Sequence, residues 1–488
     1  MKFVSTRTGI PATAPESVFQ GLAPDGGLFL PVLTDGNAEF KSQISNVKTL
    51  GDAERFVCDA LFGDFPESVR KDAIDRLLSR FPAGDPIPLV EKDGLHILEL
   101  FLGKTGAFKD VALSMLPVFM RHAANGKRVL ILTATSGDTG SAAMQGFAGV
   151  DGTEIIVFYP ATGTSRIQKL QMTTPSEANV HAVGIRGNFD DAQAAVKRIF
   201  ASKEINAAAA KAGITLSSAN SINTGRLVPQ IAYYVLAGAR LSARAADHES
   251  RATSFDVVVP SGNFGNILAA YYAKKLGSPI RRLVVASNVN DVLARFVKTG
   301  VYDPGDRFTV TNSPSMDIRI SSNVERLLWM LNYDGDVAAA CAEVSRLMKD
   351  LKEKGRYELN EKAKAKLFAD FEGGVATPEE TEGEMRRMRE AANYLVDPHT
   401  AVATFVAKKY QSGTLHSSTS TSNFNASLPV VVAATATPYK FPETCLRAFG
   451  ADVLTDPPTN FRDLESLPIA QTRVCDVDKI DAEVMRLF

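Results

Sequence analysis

From Arg128 onward, apolar runs rich in valine and isoleucine alternate with helical stretches: "RVLIL" then "DTGSAAMQGFA", "EIIVFY" then "SRIQKLQM", "NVHAVGI" then "DDAQAAVKRIFA". "ITLS" with "GRLVPQIAYYVLAGARL", "FDVVVP" with "NILAAYYAKKLG", and "RRLVVAS" continue the pattern, and "LPVVVAA" with "PETCLRAFG" restores it near the end. Continuous Val/Ile runs bounded by Gly, Ser and Thr turns are what strands need when crossover helices bury both their faces. An α/β fold with a largely parallel sheet is therefore expected. At 488 residues the chain exceeds the size at which one core stops growing, so two or three domains, with room for a ligand cleft, are expected.

Residues 1–95 lack this rhythm, and "APDGGLFLP" reads as a Gly/Pro turn, which makes them a candidate N-terminal domain. The α/β core is expected over 96–323 and 394–488, as two subdomains with a cleft between them. The intervening 324–393, with "ERLLWML" and "DVAAACAEVSRLMKDLKEKG", is charged and helical in pattern and is expected to be a helical insertion. "QSGTLHSSTSTSNFNASLP" (411–429) is too rich in Ser and Thr to bury itself, and a flexible surface loop is expected.

A formal net charge of −1 gives no basic footprint for nucleic acid or an anionic membrane. No window approaches the roughly 18 apolar residues of a membrane span. "MKFVSTRTGIPATAPES" has neither a signal-peptide core nor the arginines of a transit peptide. Cys58, Cys341, Cys445 and Cys475 form no C-x-x-C pair, so neither a zinc site nor a disulfide framework is suggested, and a reducing, cytoplasmic setting fits best. The six histidines are spread singly, and H-E-x-x-H and G-x-S-x-G are both absent. His399 in "DPHTAVA" reads as a helix-start or turn residue.

Ligands of open α/β sheets settle at the carboxyl ends of strands, so the strand-to-helix loops are the places to search. In "VVVPSGNFGNILAAYYA", glycines let backbone N–H groups turn inward and the helix start adds partial positive charge, which makes Ser261 to Asn266 a candidate anion cradle as well as a plain capped turn. The similar Gly187-Asn188-Phe189 is followed by Asp190 and Asp191, whose carboxylates suit a helix cap and would repel a phosphate. "LTATSGDTGSAAMQG" carries Ser136, Asp138, Thr139 and other hydroxyls, and its spacing fits a capped helix start and an anion site equally. In "GAFKD", Lys109 reads on its own as one more solvated lysine. Two anion loops change that reading. A phosphorylated carbonyl cofactor needs both a phosphate cradle and a desolvated lysine amine to form a Schiff base.

With these residues in view, the chain resembles the threonine synthase family, pyridoxal-phosphate enzymes of fold type II (tryptophan-synthase β-like). "LAPDGGLFLP", "GAFKD", "TSGDTGSAA", "SINTGRLVPQ", "VPSGNFGN", "NSPSMDI" and "ATATPYKF" follow the family's order from residue 22 to 441. The resemblance implies pyridoxal 5'-phosphate as cofactor, joined to Lys109, with Gly262, Asn263, Phe264, Gly265 and Asn266 around its phosphate and Thr435 at its pyridine nitrogen. It places Ser136, Asp138, Thr139, Asn220, Ser221, Asn223 and Arg226 around the substrate, with Arg226 as a partner for the substrate phosphate. The implied reaction converts O-phospho-L-homoserine and water to L-threonine and phosphate, the last step of threonine biosynthesis, with Lys109 moving the protons. A phospholyase releasing 2-oxobutyrate would keep the same cofactor residues, and a non-catalytic binder would not need Lys109. The expected assembly is a monomer or homodimer, with no nucleic-acid partner. Lys104 and Thr437 depart from the family's usual residues, and Lys104 stands as either an added charge for the substrate phosphate or an exposed side chain.

Overall fold

The computed structural model describes residues 2–33, 38–247, 254–415 and 428–488. Strands β1 (Phe3–Ser5), β2 (Pro11–Ala12) and β3 (Phe29–Pro31) make a small antiparallel sheet in the order β2-β1-β3, followed by helices Leu50–Leu61 and Glu67–Leu78. β4 (Leu89–Lys92) and β5 (Leu95–Glu99) then open a large sheet. β6 (Arg128–Ala134), β7 (Thr153–Pro160), β8 (Val180–Arg186) and β9 (Ile214–Ser218) build a second one. β10 (Phe255–Pro260) and β11 (Ile280–Ser287) return to the first, and β12 (Val301–Tyr302) with β13 (Tyr357–Glu358) forms a short ribbon. β14 (Phe371–Val375) and β15 (Val430–Ala434) complete the large sheet as β14-β11-β10-β15-β5-β4, and β16 (Arg473–Asp476) completes the other as β16-β8-β7-β6-β9. Every pairing in these two sheets is parallel except β4 with β5.

β10 and β15 are buried at every position, and β6 at all but its first, because helices cover both sheet faces. β14 lies inside the segment expected to be a helical insertion. Its sequence "FEGGV" is short and glycine-rich, so it carries little strand signal, yet the glycines are needed. A Cβ on Gly373 would stand 2.9 Å from Ala294 Cα, and one on Gly374 would stand 2.7 Å from Val406 Cγ1. β4, expected in the N-terminal domain, is an edge strand of the large sheet. Of the Ser/Thr-rich stretch, residues 416–427 lie outside the described residues. Among the described residues no helix is long and apolar enough to cross a membrane.

Arg326, wholly buried in helix Val324–Asn332, ties three parts together: its Nε donates to the Phe29 carbonyl at 2.8 Å, and its Nη1 and Nη2 donate to the Ser221 and Ile222 carbonyls. This helix thereby holds the N-terminal sheet against the loop that follows β9.

Candidate active site

The segments that follow β5, β6, β9, β10 and β15 meet at one cleft between the two large sheets, enclosing about 870 Å³ of space with its mouth included. Lys109, Ser136, Asp138, Thr139, Asn220, Ser221, Arg226, Gly262, Asn263, Phe264, Gly265, Asn266 and Thr435 all line it. Asn223 does not. Its side chain is fully buried and spent on structure, donating to the Val18 and Ser218 carbonyls and accepting from Gly225 N at 2.8 Å as a helix cap. Lys104 is exposed and off the cleft wall.

Lys109 is the first residue of helix Lys109–Ala124. That helix is pressed against helix Asp138–Phe147, where a Cβ on Gly146 would lie 2.1 Å from the Leu113 carbonyl oxygen. Only glycine permits this approach, and the approach sets Lys109 opposite Asp138. The acid next to Lys109 in "GAFKD" does a different job: Asp110 accepts from Thr105 N at 2.9 Å and Thr105 Oγ1 at 2.7 Å and so fixes the preceding loop. Phe108 N donates to the Thr435 carbonyl at 2.9 Å, and Thr437 N to the Gly106 carbonyl at 3.0 Å, lacing that loop to the segment after β15.

The carboxylate that meets Lys109 is that of Asp138, whose Oδ2 lies 3.1 Å from Nζ. Asp138 also accepts from Lys440 Nζ at 2.9 Å, Gln168 Nε2 at 2.8 Å and Ser315 Oγ at 3.3 Å. Burial lowers the Lys109 amine from its ordinary value, with Asp138 opposing and Lys440 adding to the fall. For Asp138, burial acts to raise the carboxyl, but the charges of Lys109 and Lys440 outweigh it and hold it well below the carboxylate range. His399 reaches the same wall, as well as starting helix Pro398–Gln411 as expected. Its Nε2 accepts from Ser315 N at 3.1 Å, so the ring proton sits on Nδ1, which donates to Asp397 at 2.6 Å.

Across the cleft, Phe264 adopts a left-handed backbone (φ 63°) and helix Gly265–Lys275 begins without a side-chain cap or an acid in its first turn. Its leading N–H groups therefore remain available to an anion. Gly262 leaves room that a side chain would fill, since its Cβ would stand 2.5 Å from the Ser315 carbonyl oxygen. Asn263 Oδ1 is buried with no partner among the described residues. The Gly187 copy is a closed cap: Asn188 Oδ1 accepts from Asp191 N at 3.0 Å, and Asp191 Oδ2 accepts from Asn188 N at 2.8 Å. An open, acid-free helix start facing a desolvated lysine fits a phosphorylated carbonyl compound.

Arg226 supplies a second anion position. It is buried, donates one bond to the Ala219 carbonyl at 2.6 Å, leaves Nε unpaired among the described residues and has no carboxylate beside it. Burial brings its guanidinium down to about 10. An uncompensated buried cation on a cleft wall favours a bound anion strongly. The hydroxyls of Ser136 and Thr139 line the same wall, whereas Thr135 Oγ1 is used by Gly137 N and Gly140 N.

Gln168, Ser315, His399 and Lys440 belong to this network without having been singled out from the sequence as site residues. Ser315 and Lys440 do lie inside the quoted motifs "NSPSMDI" and "ATATPYKF", the one signal that could have found them.

Residues 86–421 match a family profile described as "Pyridoxal-phosphate dependent enzyme", and 400–487 match "Threonine synthase, C-terminal". The threonine synthase of Saccharomyces cerevisiae is 33% identical over 99% of this chain and 96% of its own. A crystal structure of pyridoxal-phosphate-bound threonine synthase from Brucella melitensis superposes with a TM-score of 0.86 at 35% identity, covering 100% of this chain and 99% of that one. The yeast threonine synthase crystal structure also gives 0.86, at 32% identity over 100% of this chain and 99% of that one.

Proposed function

Because the chain belongs to the threonine synthase family of pyridoxal-phosphate-dependent enzymes, we propose that its cleft converts O-phospho-L-homoserine and water to L-threonine and phosphate. The observation that carries this reading is one desolvated amine, Lys109, lining the same cleft as the open helix start after Gly262 and a buried Arg226 that has no acid partner among the described residues. One cradle suits the phosphate of a cofactor and the other the phosphate of a substrate.

In this reading Gly262 to Asn266 would hold the cofactor phosphate, Thr435 would face its pyridine nitrogen, and Lys109 would be the amine that carries it. When bound, the cofactor supplies an electron sink for negative charge at the substrate carbons. Lys109 Nζ, released when the substrate amine takes its place, would then take the α-proton and move the β-proton, with Asp138 orienting it. Arg226 would hold the substrate phosphate and steady its charge as it departs from the γ-carbon, Lys109 would return protons to the γ- and α-carbons, and water would add its hydroxyl at the β-carbon, while Ser136, Thr139, Asn220 and Ser221 would offer hydrogen bonds to the rest of the substrate. Asn223 acts indirectly, by capping the turn that carries Arg226. We assign the reaction to the cytoplasm and the chain to a monomer or homodimer, which sedimentation resolves.

Purified protein incubated with pyridoxal phosphate and O-phosphohomoserine tests the proposal when phosphate release and the carbon product are followed together by NMR. Phosphate with threonine is expected. Phosphate with 2-oxobutyrate would make the chain a phospholyase, and no phosphate would overturn the reading.

A further inference from the structure

Behind Lys109 lies a second lysine that the steps above do not use. Lys440, in the short turn Pro438–Lys440, has no exposed surface. Its Nζ lies 2.9 Å from Asp138 Oδ1 and donates to the Thr105 carbonyl at 2.9 Å. Lys109 takes the other oxygen of the same carboxylate at 3.1 Å. Among the described residues neither ammonium forms an ion pair with any other acid. The turn is itself anchored, because Ser165 Oγ donates to the Lys440 carbonyl at 2.8 Å.

One carboxylate is thus shared between two amines. Of the other charged groups nearby, Arg226 adds a positive charge beside Lys109, and Asp110, whose carboxylate is bound by Thr105, faces Lys440. His399 also lies beside Asp138, its Nδ1 against Asp397 at 2.6 Å and its Nε2 accepting from Ser315 N at 3.1 Å. If Asp138 served Lys109 alone, it would hold the proton on Nζ, whereas the chemistry needs Nζ free to attack a carbonyl and accept a proton. A second cation on the same carboxylate works against that hold.

We propose that Lys440 is a positioning residue for the reacting amine: it occupies Asp138 Oδ1 and repels positive charge on Lys109 Nζ, so that Lys109 can release its proton inside the cleft. The proposal rests on Lys109 being the reacting amine.

Trace acetylation of the cofactor-free full chain across pH, read at the Lys109 peptide by mass spectrometry, measures that amine's titration midpoint directly. Lys440→Met removes the charge at similar length, and the midpoint should rise by about one unit or more. In the cofactor-loaded enzyme the acid limb of the kcat profile should move alkaline by the same interval. Lys440→Arg keeps the charge, so its midpoint should stay near wild type. An unmoved midpoint in folded Lys440→Met overturns the proposal, whatever happens to stability. If Lys440→Met is not recovered folded, Lys440→Arg decides: a wild-type midpoint supports the proposal, and a midpoint raised by about one unit overturns it. Borohydride reduction of the loaded wild-type enzyme, followed by peptide mapping, tests the assignment of Lys109 separately, so the two ideas fail by different results.

Discussion

Gly262 and Gly265 sit three residues apart in the same cradle, yet the structure predicts opposite effects when each becomes alanine. At Gly262 a Cβ would lie 2.5 Å from the Ser315 carbonyl oxygen and 3.0 Å from Ile318 Cδ1. Ser315 cannot simply retreat, because its N–H is held by His399 Nε2 at 3.1 Å and its hydroxyl by Asp138 at 3.3 Å. Overpacking of this kind costs about 1–3 kcal/mol. At Gly265 the nearest atoms to a Cβ are Asn323 Nδ2 at 3.4 Å and Ser221 Cβ at 3.7 Å, which is ordinary contact. Its backbone lies outside the left-handed region, at the first position of a helix, where Gly→Ala gains about 0.4–1 kcal/mol. The cofactor-free variants should therefore differ by roughly 1.5–4 kcal/mol, with Gly262→Ala the weaker. Urea unfolding of the two proteins side by side measures the gap. Equal midpoints, or Gly265→Ala unfolding first, would show that the close approach of the Ser315 backbone is not what demands glycine at 262.

Three further outcomes follow from the cleft. Lys109→Ala should lose the visible absorbance of bound cofactor and the borohydride-fixed adduct, and a wild-type spectrum would refute its assignment. Asp138→Asn leaves two buried amines without their carboxylate and should lose about 3–5 kcal/mol in denaturant unfolding. In the wild type the depressed carboxyl of Asp138 contributes stability that is present above the unfolded carboxyl pKa and lost as pH falls through the lower folded value. Acid titration of stability should therefore be flatter in Asp138→Asn below about pH 4, and an identical slope would count against the pairing. Arg226→Met removes a buried cation that has no acid partner among the described residues, so the cofactor-free protein should be no less stable. Turnover of a phosphorylated substrate should nevertheless fall in kcat/KM by a factor worth about 2–5 kcal/mol. Lost stability with an unchanged kcat/KM would make Arg226 structural.

How far the sequence reaches depends on whether the physical signal is local. The parallel strands announced themselves because burial on both faces forces continuous Val/Ile runs, as in β6, β10 and β15. β14 and β16 did not, one being half glycine-like turn text and the other four residues with three exposed. The contrast between the two Gly-Asn-Phe loops was legible because the discriminating carboxylates, Asp190 and Asp191, follow directly in the chain. Asn223 was misplaced for the converse reason: whether an Asn beside a site faces the ligand or caps its own turn depends on which carbonyls come near, here those of Val18 and Ser218. The electrostatics of Lys109 were the least legible. The acid adjacent in sequence, Asp110, belongs to the loop, while the acid that pairs with the amine is 29 residues away, and the lysine competing for it bonds a carbonyl 335 residues distant along the chain. A motif can record that an amine, an acid and a second lysine are present. Only the packing of helix on helix at Gly146, and the lacing of 435–437 onto 106–108, makes them share one carboxylate. On the proposed assignment the reactivity of Lys109 is a property of the fold's closure around Asp138, and substitutions that loosen that closure should alter its titration before they alter which residue the cofactor bonds.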